Sequence, residues 1–215
     1  LSGDFCDIRL KAWSAPIDNL DHWTCHGDIF HAQADEDHPA DVTWHDMTPC
    51  DKHMMYAPDV VEKDGKYYFY VSTNWCGIGV AVADSPYGPF KDALGKQLLT
   101  NADCPGTDHS WACIDPAIYQ ENGEAWIYWG NRRCFAAKLK PNMIEIDGEV
   151  MDITPEGSDF TEAPWVHKHN GKYYLTFATG WPEKLGYAVG DSPVGPFEYK
   201  GIFSEVAGNS NTTHP

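Results

Sequence analysis

Three acidic residues stand where short apolar segments begin, at a spacing that indicates a repeated position in the chain. Asp59 lies in Tyr-Ala-Pro-Asp, Asp115 in Cys-Ile-Asp-Pro, and Glu162 in Phe-Thr-Glu-Ala-Pro. Asp115 follows Asp59 by 56 residues and precedes Glu162 by 47. Carboxyl groups that share a cavity push their pKa values apart, so one can stay protonated while another ionises. Such a set suits acid and base cleavage of a glycosidic bond.

A repeat of about 50 residues surrounds these acids. Residues 57–70 resemble residues 163–176, and the offset is 106 (163 minus 57). The segment Ser-Pro-x-Gly-Pro-Phe at 85–90 recurs at 192–197, an offset of 107 (192 minus 85). A divergent copy occupies residues 114–130, between the other two. The acids therefore belong to successive copies of one structural unit.

Each copy predicts the same order of strands. A short apolar strand is followed by an Asp-Gly or Asn-Gly pair, which is the strongest short-range signal for a hairpin with a type I′ turn. A second strand rich in aromatic and β-branched residues follows, as in Lys66–Ser72, and then a third strand and a proline-fixed turn. Four strands per unit without a long helix are typical of a propeller blade. Innermost strands line the central channel of a propeller, so the three acids should gather at one mouth.

The repeat also predicts where the blades begin and end. Residues 9–23 match the third strand and turn of a unit, and His214-Pro215 matches the opening of another. We therefore predict one all-β domain over residues 1–215, with the end of blade one, complete blades two to four, and the start of blade five. Two open blade edges would make this piece poorly soluble and inactive by itself.

Composition excludes several classes of partner. The chain has 215 residues with a net charge of −17, which repels phosphate backbones and anionic lipid, so we expect no nucleic-acid or membrane partner. Aromatic residues make up 13% of the chain, a supply that suits a neutral substrate with apolar faces, such as a sugar.

The cysteine pattern bears on metal binding and on the compartment. The chain has seven cysteines, an odd number, and no Cys-x-x-Cys motif, which favours free, mostly buried thiols over a zinc site. Free thiols favour the cytoplasm and polysaccharide degradation favours export, so localisation stays open, with a slight preference for the cytoplasm.

The chain resembles glycoside hydrolase family 43, the five-bladed β-propellers that include α-L-arabinofuranosidases, β-xylosidases and arabinanases. The resemblance covers nearly the whole chain in the family's order, through residues 56–61, 78–90, 114–118, 127–130, 160–164 and 185–197. It implies that the chain is an incomplete propeller.

The resemblance also implies roles for individual residues. The family works by single-displacement inversion, and its motifs identify Asp115 as the aspartate that tunes pKa and orientation and Glu162 as the general acid. The base aspartate would lie upstream of Leu1, and neither Asp4 nor Asp7 is assigned to it. His214 resembles a histidine near a central ion, often calcium, although an ordinary surface histidine is an equal alternative. No cofactor is implied for the chemistry itself.

Several further residues are candidates for substrate binding, each with a structural alternative. Trp75 and Phe160 could form a sugar platform or simply pack between blades. Asn131, Arg132 and Arg133 could donate to sugar hydroxyls, although the arginines could equally be surface counter-charges. Asp59 is included as a substrate-binding carboxylate, while His109 is interpreted as a loop residue. We also expect burial beside Asp115 to raise the pKa of Glu162.

Two functions of different classes follow. The first is a glycosidase that releases L-arabinofuranose or D-xylose from plant-type oligosaccharides by inversion. The second is a non-catalytic carbohydrate-binding propeller, which the unassigned base favours. A protein-interaction scaffold is a third use of propellers, but it leaves the aligned carboxylates unexplained.

Overall fold

The structure, a computed structural model, describes residues 9–31, 55–73 and 77–215. Within these ranges it contains fourteen strands, and its helical structure is limited to one 3₁₀ turn at Asn101–Asp103. Blade one is a two-stranded sheet of β1 (Arg9–Ser14) and β2 (Thr24–His31). No helix in the described part of the chain has both the length and the apolar content needed to cross a membrane.

Three four-stranded antiparallel sheets follow, each in simple chain order. The prediction of an all-β fold with four strands per unit is confirmed, and the count of five blades stays a prediction. Blade two consists of β3 (Met55–Lys63), β4 (Lys66–Thr73), β5 (Gly77–Ala83) and β6 (Lys91–Asp92). Blade three consists of β7 (Ala117–Glu121), β8 (Glu124–Trp129), β9 (Phe135–Leu139) and β10 (Ile146–Asp152). Blade four consists of β11 (Phe160–His169), β12 (Lys172–Thr179), β13 (Lys184–Gly190) and β14 (Glu198–Ser204).

The first hairpin of each complete blade has the predicted turn. The two central residues of the blade-two turn, Asp64 and Gly65, have φ values of 52° and 75°. A type I′ turn needs positive φ at both positions, and Asn, Asp and Gly adopt it at the lowest cost. The turns at 122–123 and 170–171 repeat this conformation. Local sequence therefore fixes the register of the two inner strands in each blade.

Alternating side chains on the second strand of each blade build the core between sheets. On β8, Trp126 and Tyr128 pack toward blade four, while Ile127 and Trp129 pack toward blade two. This period of two is the geometry of a strand buried on both faces. A third cluster joins blade one to blade two around Phe30. Each sheet is thus stabilised mainly by its neighbours.

An Xaa-Pro pair marks the innermost end of each of blades two to four and corrects the register of the repeat. Ala57, Asp115 and Ala163 precede prolines and have φ values of 44°, 57° and 53°. Together with His214-Pro215 these pairs line a cavity of about 270 Å³, which we call the axial cavity. Asp115 is therefore equivalent to Ala57 and Ala163, so the prediction that the three acids occupy one repeat position is wrong. Glu162 stands one position before it and Asp59 two positions after.

The described cysteines agree with the prediction of free thiols. Cys104, Cys113 and Cys134 are buried and free, whereas Cys25 is free but exposed. The other three lie outside the described residues.

Candidate functional site

A pocket of about 620 Å³ opens where blades three and four meet, and we call it the acidic pocket. Its residues come from connections at the same end of several blades. The loop before β7 provides Trp111 and Asp115, and the start of β11 provides Glu162. Other residues that line the pocket include Asn131, Arg132, Trp181, Glu183, Thr213 and His214. The two acids predicted to be catalytic therefore do meet, although 46 residues separate them in the chain (162 minus 115, less one).

Asp115 joins three blades through its backbone and its carboxylate. Only 5% of the residue is exposed. Its backbone N–H donates to Ser72 Oγ of blade two at 2.9 Å. Its Oδ2 accepts the backbone N–H of Ala163 in blade four at 3.1 Å. The carboxylate is therefore held beside Glu162 by backbone geometry.

Glu162 is held by an amide and an imidazole. Asn131 Nδ2 donates to Glu162 Oε2 at 2.7 Å, and His214 Nε2 lies 3.3 Å from Glu162 Oε1. The same imidazole nitrogen lies 3.8 Å from Asp115 Oδ2. One histidine thus bridges both acids, and Asn131, predicted to bind substrate, contacts the acid directly.

The two acids have pKa values displaced in opposite directions. Burial raises the pKa of Asp115 to about 7, against the opposing charge of His214. Burial also acts to raise the pKa of Glu162. The net pKa of Glu162 is nevertheless lowered, because hydrogen bonds from His214 and Asn131 and the charge of His214 outweigh the effect of burial. The expectation of a raised pKa for Glu162 is therefore wrong. The physical reason is that Glu162 has partners that stabilise the carboxylate.

The site fits a divalent cation by its donor chemistry. Asp115, Glu162 and His214 each offer one ligand atom, and these atoms lie within 4.8 Å of one another. Two of these atoms are carboxylate oxygens and the third is an imidazole nitrogen, so an oxygen-preferring ion such as calcium would need water for most of its ligands.

Asp59 lies outside the acidic pocket, on the axial cavity. Its Oδ1 accepts the N–H of Val60 at 2.8 Å, and its Oδ2 accepts the N–H of Ile118 in blade three at 2.7 Å. Both oxygens are thus used by backbone donors. The structure assigns Asp59 to a link between blades two and three, which corrects its prediction as a substrate-binding residue.

Phe160 is not a sugar platform. It is 5% exposed and packs against Phe177 with a ring-centroid distance of 5.3 Å, in the core between blades three and four. The alternative of packing between blades is the one observed. Trp75, the other proposed platform, lies outside the described residues.

Two tryptophans that the sequence interpretation missed line the acidic pocket. Trp181 is 69% exposed in the turn between β12 and β13. Trp111 lies below Arg132, whose guanidinium carbon is 6.0 Å from the ring centroid. The repeat carried a signal for Trp181, because it follows Trp75 by 106 residues, the offset that relates blades two and four. Exposed aromatic faces beside hydrogen-bond donors suit a sugar ring.

Arg133 and His109, the other basic residues considered in the sequence, are not among the residues that line the acidic pocket. Arg133 forms an ion pair with Asp152 and does not line the acidic pocket. His109 is a loop residue, as expected, with its ring 5.0 Å from that of Trp111.

These observations define the class of the protein: a β-propeller whose blade ends bring a carboxylate cluster into one pocket. Residues 9–205 match the profile of glycosyl hydrolases family 43, and the chain belongs to this family.

Curated relatives and solved structures agree with this membership. The chain is 32% identical over 209 residues to a β-xylosidase of Xylanibacter ruminicola, covering 77% of this chain and 62% of that protein. It is 35% identical over 174 residues to an arabinoxylan arabinofuranohydrolase of Paenibacillus polymyxa, covering 69% and 27%. The chain therefore spans only part of the length of these relatives.

Two solved structures share the fold. An α-L-arabinofuranosidase from Clostridium thermocellum has a TM-score of 0.79 and 32% identity, covering 95% of this chain and 65% of that one. A β-xylosidase/α-arabinofuranosidase from a compost metagenome, solved with xylotriose in a calcium-free form, has a TM-score of 0.71 and 27% identity, covering 92% and 67%.

Proposed function

We propose that the protein carrying this chain hydrolyses O-glycosidic bonds in plant-type oligo- and polysaccharides and releases L-arabinofuranose or D-xylose with inversion. The observation that carries the proposal is the meeting of Asp115, Glu162 and His214 in one pocket, with ligand atoms within 4.8 Å. The names of the relatives, a β-xylosidase and an arabinofuranohydrolase, support the choice of pentose.

Glu162 is the proposed general acid and Asp115 the residue that orients it. Glu162 lines the pocket, and the Asp115 carboxylate accepts the backbone N–H of Ala163, the residue that follows Glu162. Asn131 and His214 stabilise the Glu162 carboxylate. Proton donation therefore requires the bound sugar to exclude water and weaken these contacts, since desolvation favours the protonated acid.

The catalytic base is not among the described pocket carboxylates. Inverting glycosidases separate their two carboxyl groups by about 6.5–9.5 Å, so that a water fits on the far side of the ring. Asp115 and Glu183 both lie beside Glu162 and cannot flank the ring from the opposite side. We keep the base upstream of Leu1 as a prediction.

A non-catalytic carbohydrate-binding propeller is the second candidate. The missing opposite carboxylate among the described residues favours it, and the two functions share the pocket. An aspartate at the start of an innermost strand upstream of Leu1 would favour the enzyme.

The partner we propose is a neutral oligosaccharide rather than a nucleic acid or a membrane surface. Trp181 and Trp111 supply apolar faces, and Arg132 supplies donors beside them. The net charge of −17 opposes binding to polyanions. A cytoplasmic location stays a prediction.

A structural calcium ion beside His214 is also part of the proposal. His214 would supply one ligand and water most of the others, which leaves Glu162 free to carry the proton. When bound, the ion supplies positive charge to a cluster dominated by carboxylates, and the hydrolytic chemistry needs no other cofactor.

A leaving-group comparison tests the proposed function. The full-length protein that contains this chain is assayed with nitrophenyl pentosides and with xylan- and arabinan-derived oligosaccharides. Glu162→Gln should abolish cleavage of the oligosaccharides and reduce nitrophenyl release much less, because nitrophenolate leaves with little protonation. Equal small losses on both substrates would remove Glu162 as the acid, and binding without turnover by the wild type would favour the carbohydrate-binding alternative.

A further inference from the structure

Glu183 is a buried acid in the acidic pocket that neither the sequence motifs nor the proposed mechanism uses. It follows Trp181-Pro182 in the turn between β12 and β13, where Pro-Glu-Lys reads as an exposed surface turn. The structure leaves only 1% of the residue exposed. A carboxyl group buried to this degree requires specific partners.

Both the backbone and the side chain of Glu183 have hydrogen-bond partners in the segment before His214. Its backbone N–H donates to the carbonyl oxygen of Asn211 at 3.0 Å. Its Oε2 accepts the backbone N–H of Thr213 at 2.8 Å. These two bonds tie the turn of blade four to the segment that carries His214, which in turn bridges Glu162 and Asp115.

Glu183 and Glu162 line the same pocket. Glu162 Oε2 accepts Asn131 Nδ2 at 2.7 Å, and Glu162 Oε1 lies 3.3 Å from His214 Nε2. The residue before His214 is Thr213, whose backbone N–H donates to Glu183 Oε2. The Glu183 carboxylate therefore fixes the segment that brings His214 to Glu162.

We infer that Glu183 is a positioning residue: its carboxylate holds the Thr213-His214 segment in place, so that His214 stays against Glu162 and the acid is aimed at the departing oxygen. This inference rests on the proposed function, because it assigns Glu183 to the action of Glu162. A small misplacement of a proton donor is costly in the rate although substrate binding changes little.

Two substitutions separate positioning from general stability. Glu183→Ala removes the acceptor for the Thr213 N–H, whereas Glu183→Gln keeps an amide oxygen that can accept it. In the full-length protein we expect Glu183→Ala to lower kcat for an oligosaccharide by about 10- to 100-fold with little change in KM. The loss for a nitrophenyl pentoside should be at least several-fold smaller, and Glu183→Gln should recover most of the oligosaccharide rate.

Glu205→Ala serves as the matched control, because Glu205 is an exposed carboxylate that pairs with Lys184, the neighbour of Glu183. It should leave both rates unchanged. A Glu183→Ala loss that is equal for both substrates, or that Glu183→Gln does not recover, would overturn the positioning role. Should Glu183→Ala fail to fold, Glu183→Gln alone decides: the role stands if its oligosaccharide rate stays near wild type while Glu162→Gln loses it, and it falls if Glu183→Gln loses the rates for both substrates. A wild type without turnover would instead refute the proposed function, and the inference with it.

Discussion

The carboxylate of Asp115 accepts the backbone N–H of Ala163 at 3.1 Å, and Ala163 is the residue directly after Glu162. One bond therefore connects the loop that precedes blade three to the strand that carries the proposed acid. Because Ala163 has a positive φ of 53°, the strand turns at this point, and Glu162 is aimed from a fixed backbone. The same hydrogen bond therefore positions the acid and joins two blades.

Replacement of Asp115 by Asn should separate these two roles. The amide can still accept the Ala163 N–H, but it removes the charge beside Glu162. We expect kcat on oligosaccharides to fall by about 10²-fold or more, while the melting temperature changes by only a few degrees. Steady-state kinetics and calorimetry measure the two effects. Asp191→Asn, an exposed aspartate paired with Lys172, is the control, and a similar rate loss in both variants would contradict the assignment.

Replacement of Trp181 by Ala should weaken substrate binding. Trp181 is 69% exposed at the pocket, so its removal takes away an apolar platform without opening the core. We expect KM for oligosaccharides to rise by up to about tenfold, because an aromatic contact contributes about 0.5–1.5 kcal/mol and tenfold corresponds to about 1.4 kcal/mol. Trp165→Ala removes an exposed tryptophan that does not line the acidic pocket, and it should leave KM unchanged. An unchanged KM in Trp181→Ala would exclude the platform.

Replacement of Asp59 by Ala should lower stability. Its two oxygens accept N–H groups of Val60 and Ile118, and the second bond joins blades two and three. Loss of both acceptors should reduce the free energy of unfolding by about 2 kcal/mol, because the Ile118 N–H is left without a partner. Urea denaturation measures this. Asp84→Ala removes an exposed carboxylate and should cost far less, and equal losses would show that the Asp59 bonds contribute nothing special.

Gly130 should tolerate no side chain, since it precedes the turn that carries Asn131. It has a φ of 133°, and an added Cβ would lie 2.0 Å from the carbonyl oxygen of Arg133. We expect Gly130→Ala to destabilise the protein by more than about 3 kcal/mol and to displace the Asn131 amide from Glu162. Gly123→Ala is the matched control, because Gly123 also has positive φ but has open space around it, and it should cost about 1 kcal/mol. Similar costs for both would show that the close contact is relieved easily.

Calcium should stabilise the protein if it binds beside His214. Addition of calcium after treatment with a chelator should raise the melting temperature by a few degrees, because a ligand that binds only the folded state shifts unfolding. His214→Ala should abolish the shift, while the exposed His22→Ala should keep it. No shift in the wild type at millimolar calcium would refute this part of the proposal.

Much of the scaffold could be predicted because its signals are local. The Asn-Gly and Asp-Gly pairs fix the hairpins through their own backbone preferences, and the alternation on strands such as β8 fixes which side chains are buried. The repeat, together with these turns, was enough to predict that blade ends converge and that Asp115 and Glu162 meet.

Side-chain direction near the site could not be predicted, because it depends on register at irregular positions. Phe160 and Glu162 are two residues apart and would share one face of a regular strand. The pairing of β11 with β12 shifts between them, so Phe160 enters the core while Glu162 enters the pocket. The pairing of β3 with β4 shifts in the same way between Tyr56 and Asp59, so Asp59 does not occupy the repeat position of Asp115.

The sequence by itself determined the blades and brought two acids to one place, since turn chemistry and periodicity act between near neighbours. Only the tertiary structure decided which groups surround those acids. Asn131, Glu183 and His214 come from three separate segments, and together they lower the pKa of Glu162, against the expected direction. Electrostatic environment is a sum over groups that are distant in the chain, and no local pattern contains it.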